Sequence, residues 1–190
     1  MDGNMFTKVK SVRQAADLLA SKPYGMIQAS AGETNFIQIR PFPKMVSVAE
    51  AMWIGGWVHR KVQRDRVQVF YNQPSRHKKF FVAKYAVSEL GTTLATMRAS
   101  FRTFMEIARL KRADAVLCEV ISRRVTDRFM SYWGFEPHNR QARGRHYIRR
   151  FYGEYPDYTD WIADLQQETA AQPIVTALPG CSTTDTPART

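Results

Sequence analysis

The sequence predicts an α/β fold, an open mixed sheet flanked by helices, in a single domain with a flexible C-terminal tail. Three observations predict it. Between residues 78 and 151 the hydrophobic pattern reads strand, long helix, strand, short helix, turn, strand, an order that lays helices on a sheet. The helical stretch 92–112 joins two strand patterns, and such a crossover sets its strands side by side and parallel. From Thr169 the chain turns to Ala, Thr, Pro and Ser, a composition with too little apolar surface to order itself.

Taken in order, TKVKSVRQAADLLAS (7–21) reads as a short amphipathic helix with Val12, Ala15, Ala16 and Leu19 on one side. Lys22-Pro23 stops it, because the residue before proline disfavours helix. NFIQIRPFP (35–43) alternates and ends at prolines, the pattern of a strand. VSVAEAMWIGGWVHRKV (46–62) is apolar enough for a packed helix, bent at Gly55-Gly56. RVQVFYNQPS reads as a strand entering a turn at Asn72–Ser75, and KKFFVAKYAVSEL (78–90) as a second strand ending before Gly91. The helix 92–112 carries Leu94, Met97, Phe101, Phe104, Met105 and Ala108 on one stripe, with Arg98, Arg102 and Arg109 beside it. AVLCEVIS (115–122) is a buried strand, RRVTDRFMSYW (123–133) a second helix and RHYIRRF (145–151) a closing strand. One short helix is expected after Asp160-Trp161, and residues 170–190 are expected to be disordered.

Composition narrows the function. No apolar run reaches the roughly 18–20 residues needed to span a bilayer. MDGNMFTKVK has no signal core, so a soluble, cytoplasmic protein with no membrane partner is expected. Cys118 and Cys181 lie far apart in unlike settings, which argues against a disulfide framework. The net charge of +11 is uneven: residues 60–84 hold eight Lys/Arg against one acidic residue, whereas 153–190 hold one against six. A basic body ending in an acidic tail attracts phosphates on a cofactor, a nucleic acid or an acidic carrier protein. His59, His77, His138 and His146 have no ligand-like spacing, so no metal is expected. Nucleophile-elbow, Walker and dinucleotide motifs are absent from the sequence.

LCEVISRRVTDRFMSYWGFEPH, a strand, a helix with an aromatic end and Gly134-Phe135-Glu136, resembles the C-terminal half of the GNAT superfamily of N-acetyltransferases. The strand and long helix at 80–112 fit the central cofactor-binding unit of that family in length and order, and NFIQIRPF is similar to its first strand. The resemblance implies an N-terminal helical extension (1–34), a GNAT-like acyltransferase domain (35–160) and an acidic, partly disordered tail (161–190). It also implies acetyl-CoA or another acyl-CoA as co-substrate and an amine-bearing acceptor. Family members bind pyrophosphate with [Gln/Arg]-x-x-Gly-x-[Gly/Ala] ahead of the long helix. The aligned residues are Ser88-Glu89-Leu90-Gly91-Thr92-Thr93, which keep only the central glycine. Leu90, Gly91, Thr92, Thr93 and Arg98, one turn on, are therefore the implied cofactor-binding residues. The same stretch also reads as a strand end followed by a Thr N-cap.

For catalysis the family often places a Tyr four residues before the glycine of Gly-Phe, to protonate the leaving thiolate. Met130 stands there, and Tyr132 is the nearest tyrosine. Amine acylation needs a base and a carbonyl partner. Glu89 is the one carboxylate on strand 78–90 and Tyr85 its phenol, so Glu89, Tyr85 and Tyr132 are the candidate catalytic residues. Glu119 lies in an apolar run, so it is expected to be either a site residue or, the preferred reading, a buried carboxylate paired with an arginine. The alternative function is an inactive fold of the same type, in which HRKVQRDR, RHKK and RQARGRHYIRR grip nucleic acid or an acidic partner, with Tyr147 and Phe151 for base stacking.

Overall fold

The computed structural model describes residues 6–43, 64–120, 125–138 and 145–155. In chain order the elements are β1 (Thr7–Val9), α1 (Ala16–Ser21), β2 (Tyr24–Ser30), β3 (Glu33–Arg40), β4 (Arg66–Asn72) and β5 (Phe80–Ser88). These are followed by α2 (Leu94–Leu110), β6 (Ala115–Val120), α3 (Asp127–Tyr132), β7 (Glu136–His138) and β8 (Arg145–Arg150). The eight strands make one open mixed sheet in the order β1-β3-β2-β4-β5-β6-β8-β7. Only β5 and β6 are parallel among these neighbours. α2 is the crossover between them, as the stripe on 92–112 predicts.

α2 starts where Thr93 turns extended and its hydroxyl accepts the Thr96 N–H, an N-cap. Its inner face buries Phe104, Met105, Ile107 and Ala108. Phe104 stacks on Phe81 of β5 at 4.7 Å between ring centroids. Leu94, placed on the apolar stripe by its spacing, is largely exposed. α3 ends in a glycine turn. The Gly134 N–H donates to Ser131 O at 2.9 Å and the Phe135 N–H to Met130 O at 3.0 Å, the paired bonds that close a helix on a left-handed residue. Gly134 has φ 73°, and Met130 and Phe135 are both buried. The Gly-Phe pair is thus a helix stop followed by its apolar anchor.

The N-terminal third departs from expectation. The stretch read as one helix over 7–21 is helical only at Ala16–Ser21, and Thr7–Val9 pair with Ile37–Ile39 of β3. Ala15 at the N-cap offers no side-chain hydrogen bond, so nothing holds the helix open toward its N-terminus. Tyr24–Ser30, within the expected helical extension, is a central strand paired on both sides. Residues 7–34 therefore belong to the same sheet as the remainder, and this compact unit closes at Pro156. The strand expected at 35–43 is β3, the third in the chain, and β2 separates it from β4. The helix expected at 46–62, the short helix after Trp161 and the tail 161–190 lie outside the described residues.

Candidate functional site

The central pair of strands does not stay together. β5 and β6 are in register from Phe80↔Ala115 to Ala83↔Cys118, and there the pairing stops. The cause lies on the other edge of β5. Opposite β4, Tyr71 pairs with Ala83 but Phe70 pairs with Tyr85, leaving Lys84 as the extra residue of a β-bulge. A bulge bends its strand, and here it turns the second half of β5 away from β6. Beyond Ala83 and Cys118 the two strands no longer pair, and Tyr85 and Ala86 of β5 and Glu119 and Val120 of β6 line a common wedge.

An apolar cavity of about 170 Å³ fills that wedge on the helix side. Tyr85, Cys118, Met97, Phe101, Met130 and Trp133 are among its walls. α2 brings Met97 and Phe101 in, and α3 brings Met130. Burial pushes the Cys118 thiol up to about 12, so at neutral pH it is a protonated wall atom rather than a nucleophile. Tyr85 stands against Phe70 and lines the cavity.

The other expected site residues are elsewhere. Glu89 is buried and ion-paired with Arg66, whose Nε donates to Glu89 Oε1 at 2.6 Å. It lines neither the apolar cavity nor the one on the opposite face of the sheet, and as a buried ion-pair member it is not placed to act as a base. Tyr132 is more than half exposed, and its hydroxyl accepts from Arg98 Nη2 at 3.0 Å. Neither Tyr132 nor Arg98 lines either cavity. Met130, by contrast, lines the cavity at the position where a phenol was expected.

The loop ahead of α2 is satisfied by its own chain. A Cβ on Gly91 would sit 3.3 Å from three backbone atoms of Arg64, so the glycine admits the chain, not a ligand. Leu90 is half exposed. The Thr92 hydroxyl donates to Arg66 O at 2.7 Å and Glu89 O at 2.8 Å. The Thr93 N–H donates to Asp65 Oδ1 at 2.9 Å, and the Thr96 hydroxyl donates to Asp65 Oδ2 at 2.7 Å. A helix N-terminus favours an anion, and Asp65 is that anion. Burial pushes the Asp65 carboxyl up. Hydrogen bonds from the Thr93 N–H, the Thr96 and Thr93 hydroxyls and the Ala31 N–H outweigh it and leave the group below 3.8. Thr92 and Thr93 thus spend their hydroxyls and backbone N–H groups within the chain, and Gly91 lies against the Arg64 backbone, an arrangement that does not favour a pyrophosphate at these residues.

A second cavity, of about 310 Å³, opens on the opposite face of the wedge. The faces are told apart by Tyr147, whose hydroxyl reaches Asp127 of α3 at 2.5 Å. Its strand neighbour His146 points the other way. Lys84, Glu119, His138 and His146 line this cavity, and Ala83 and Cys118 are walls of both. Glu119 is exposed rather than buried against an arginine. Its residue pair across the ladder is His146, which also pairs with His138. Tyr147 and Phe151, offered by the sequence for base stacking, are in the core. Among the described residues no group of three His, Cys, Asp or Glu could hold a metal ion, and no helix is long and apolar enough to cross a membrane.

No family model matches the chain, and no curated protein does. Among solved structures, a nourseothricin acetyltransferase is similar over 77% of this chain and 99% of that one, at 11% identity and a TM-score of 0.37. That likeness is too slight to argue from.

Proposed function

We propose that the protein transfers an acyl group from a pantetheine-type thioester, such as acetyl-CoA, to an amine. One observation carries this reading: the end of β5–β6 pairing at Ala83↔Cys118, directly over an apolar cavity. Where it no longer pairs with β6, the edge of β5 can hydrogen-bond an extended, amide-bearing arm as a strand would. Its amide N–H groups are fixed donors for the thioester carbonyl, where negative charge develops during attack. The apolar walls exclude water, and holding donor and amine on two sides of one wedge makes the reaction effectively unimolecular. Tyr85 is the phenol on the wall of the apolar cavity, and it gives its proton to the departing thiolate.

With Asp65 at the helix end, the thioester is held by its arm and acyl group rather than by a pyrophosphate at Thr92 and Thr93. Parallel calorimetric titrations with acetyl-CoA and acetyl-pantetheine test this. Both should bind, with dissociation constants within about tenfold of each other. Absence of binding by either at millimolar ligand would sink the proposal and leave the basic-surface binding module as the better account.

A further inference from the structure

We infer that the cavity on the face away from the helices is an acceptor site for an amine that also bears a carboxylate, with Glu119 as the base. This rests on the acyl-transfer reading of the wedge. Three titratable side chains lie in one cross-strand row, Glu119 on β6, His146 on β8 and His138 on β7. All three line the cavity, as does Lys84 on the bulge of β5. The remaining ionisable walls are Cys118, whose thiol is pushed up to about 12, and Tyr147, whose hydroxyl is engaged by Asp127. Glu119 also lines the thioester cavity, so of the row it stands nearest the acyl group. Lys84 and Glu119 rise from the two strands that diverge, a cation and an anion on either side of one opening. A zwitterion of the amino-acid type matches that pair, its ammonium toward Glu119 and its carboxylate toward Lys84.

The Glu119 carboxylate takes one proton from the ammonium and hands it through His146 and His138 to solvent. The neutral amine attacks the thioester carbonyl, forming the C–N bond. The C–S bond breaks, and the sulfur leaves with the proton of Tyr85. The second proton of the attacking nitrogen passes to Glu119 and leaves by the same histidines to solvent, while solvent restores Tyr85. His146 acts on the substrate only through Glu119 and is a positioning residue.

Binding can be read without any donor. Phenylalanine and phenethylamine, alanine and ethylamine are titrated into protein with ¹⁵N-labelled histidine, and the His146 and His138 rings are followed by NMR. Each amino acid should shift both rings saturably, at concentrations roughly tenfold lower than its decarboxylated partner. K84M should abolish that preference and E119Q should weaken both ligands. With acetyl-pantetheine present, E119Q should lower kcat about 100-fold at unchanged donor KM, and H146Q should move the acidic limb of the kcat/KM profile. Histidine shifts without thioester binding would overturn the acyl-transfer reading while keeping this site. No saturable shift, or equal shifts in wild type, K84M and E119Q, would overturn the site itself.

Discussion

Ala83 of β5 and Cys118 of β6 form the last paired rung between the two parallel strands, and both residues are walls of both cavities. Their small side chains mark the apex of the wedge. The bulge at Lys84, one residue further, supplies the bend that opens it.

Filling the apex should therefore block the ligand. In Cys118→Phe the added ring enters the cavity of about 170 Å³, so its cost should stay near the lower end of the ~1–3 kcal/mol typical of overpacking. Calorimetry should show at least a tenfold loss of acetyl-pantetheine affinity, with a cooperative thermal transition retained.

Asp65 makes a separate prediction. Asp65→Ala removes the carboxylate bound by the Thr93 N–H and the Thr96 hydroxyl, which should cost about 1 kcal/mol. The same change empties an anion position, so acetyl-CoA should gain affinity relative to acetyl-pantetheine. The folded carboxyl lies below its ordinary 3.8. Its contribution is therefore present above that value and is lost as pH falls through the folded one. Denaturant unfolding of wild type and variant should converge only as pH falls well below 3.8.

Lys111 joins α1 to the end of α2. Its Nζ donates to Ala20 O at 3.2 Å, Lys22 O at 2.7 Å and Gln73 Oε1 at 3.2 Å. Burial lowers it from 10.5 to about 8. Between those values the unfolded chain binds the extra proton, so stability rises with pH across the window, by at most about 1.4 kcal/mol per unit. Unfolding free energies of wild type minus Lys111→Met, measured from pH 7.5 to 10, should increase. A flat difference would count against the burial of the charge.

Gly134→Ala tests the turn after α3. A residue with a Cβ at φ 73° costs about 1–2 kcal/mol, and the new carbon would meet Arg149 Cζ at 3.1 Å. Thermal unfolding should show a loss of that order. Because Met130 and Phe135 flank the turn and line the cavity, thioester affinity should fall with it.

The parts legible in the sequence were those written locally. The crossover 80–120 showed in its periodicity, and the Gly134-Phe135 stop showed because a left-handed residue and its apolar anchor are neighbours. Tyr24–Ser30 escaped because Gly25, which lies against the Tyr71 ring, and two small residues blur its alternation. Asp65 escaped because its partners are 28 and 31 residues away. The exposure of Glu119 is not legible because apolar neighbours do not reveal where a strand's partner ends. The wedge itself depends on a register shift, which no single strand encodes.

The central claim is that a thioester arm lies along β5 beyond Ala83. Titrating acetyl-pantetheine into uniformly ¹⁵N-labelled protein and following backbone amides tests it most directly. Saturable shifts should concentrate at residues 84–87 and 118–120 and be absent in Cys118→Phe. Saturable shifts confined to other surfaces, or none at millimolar ligand, would contradict it.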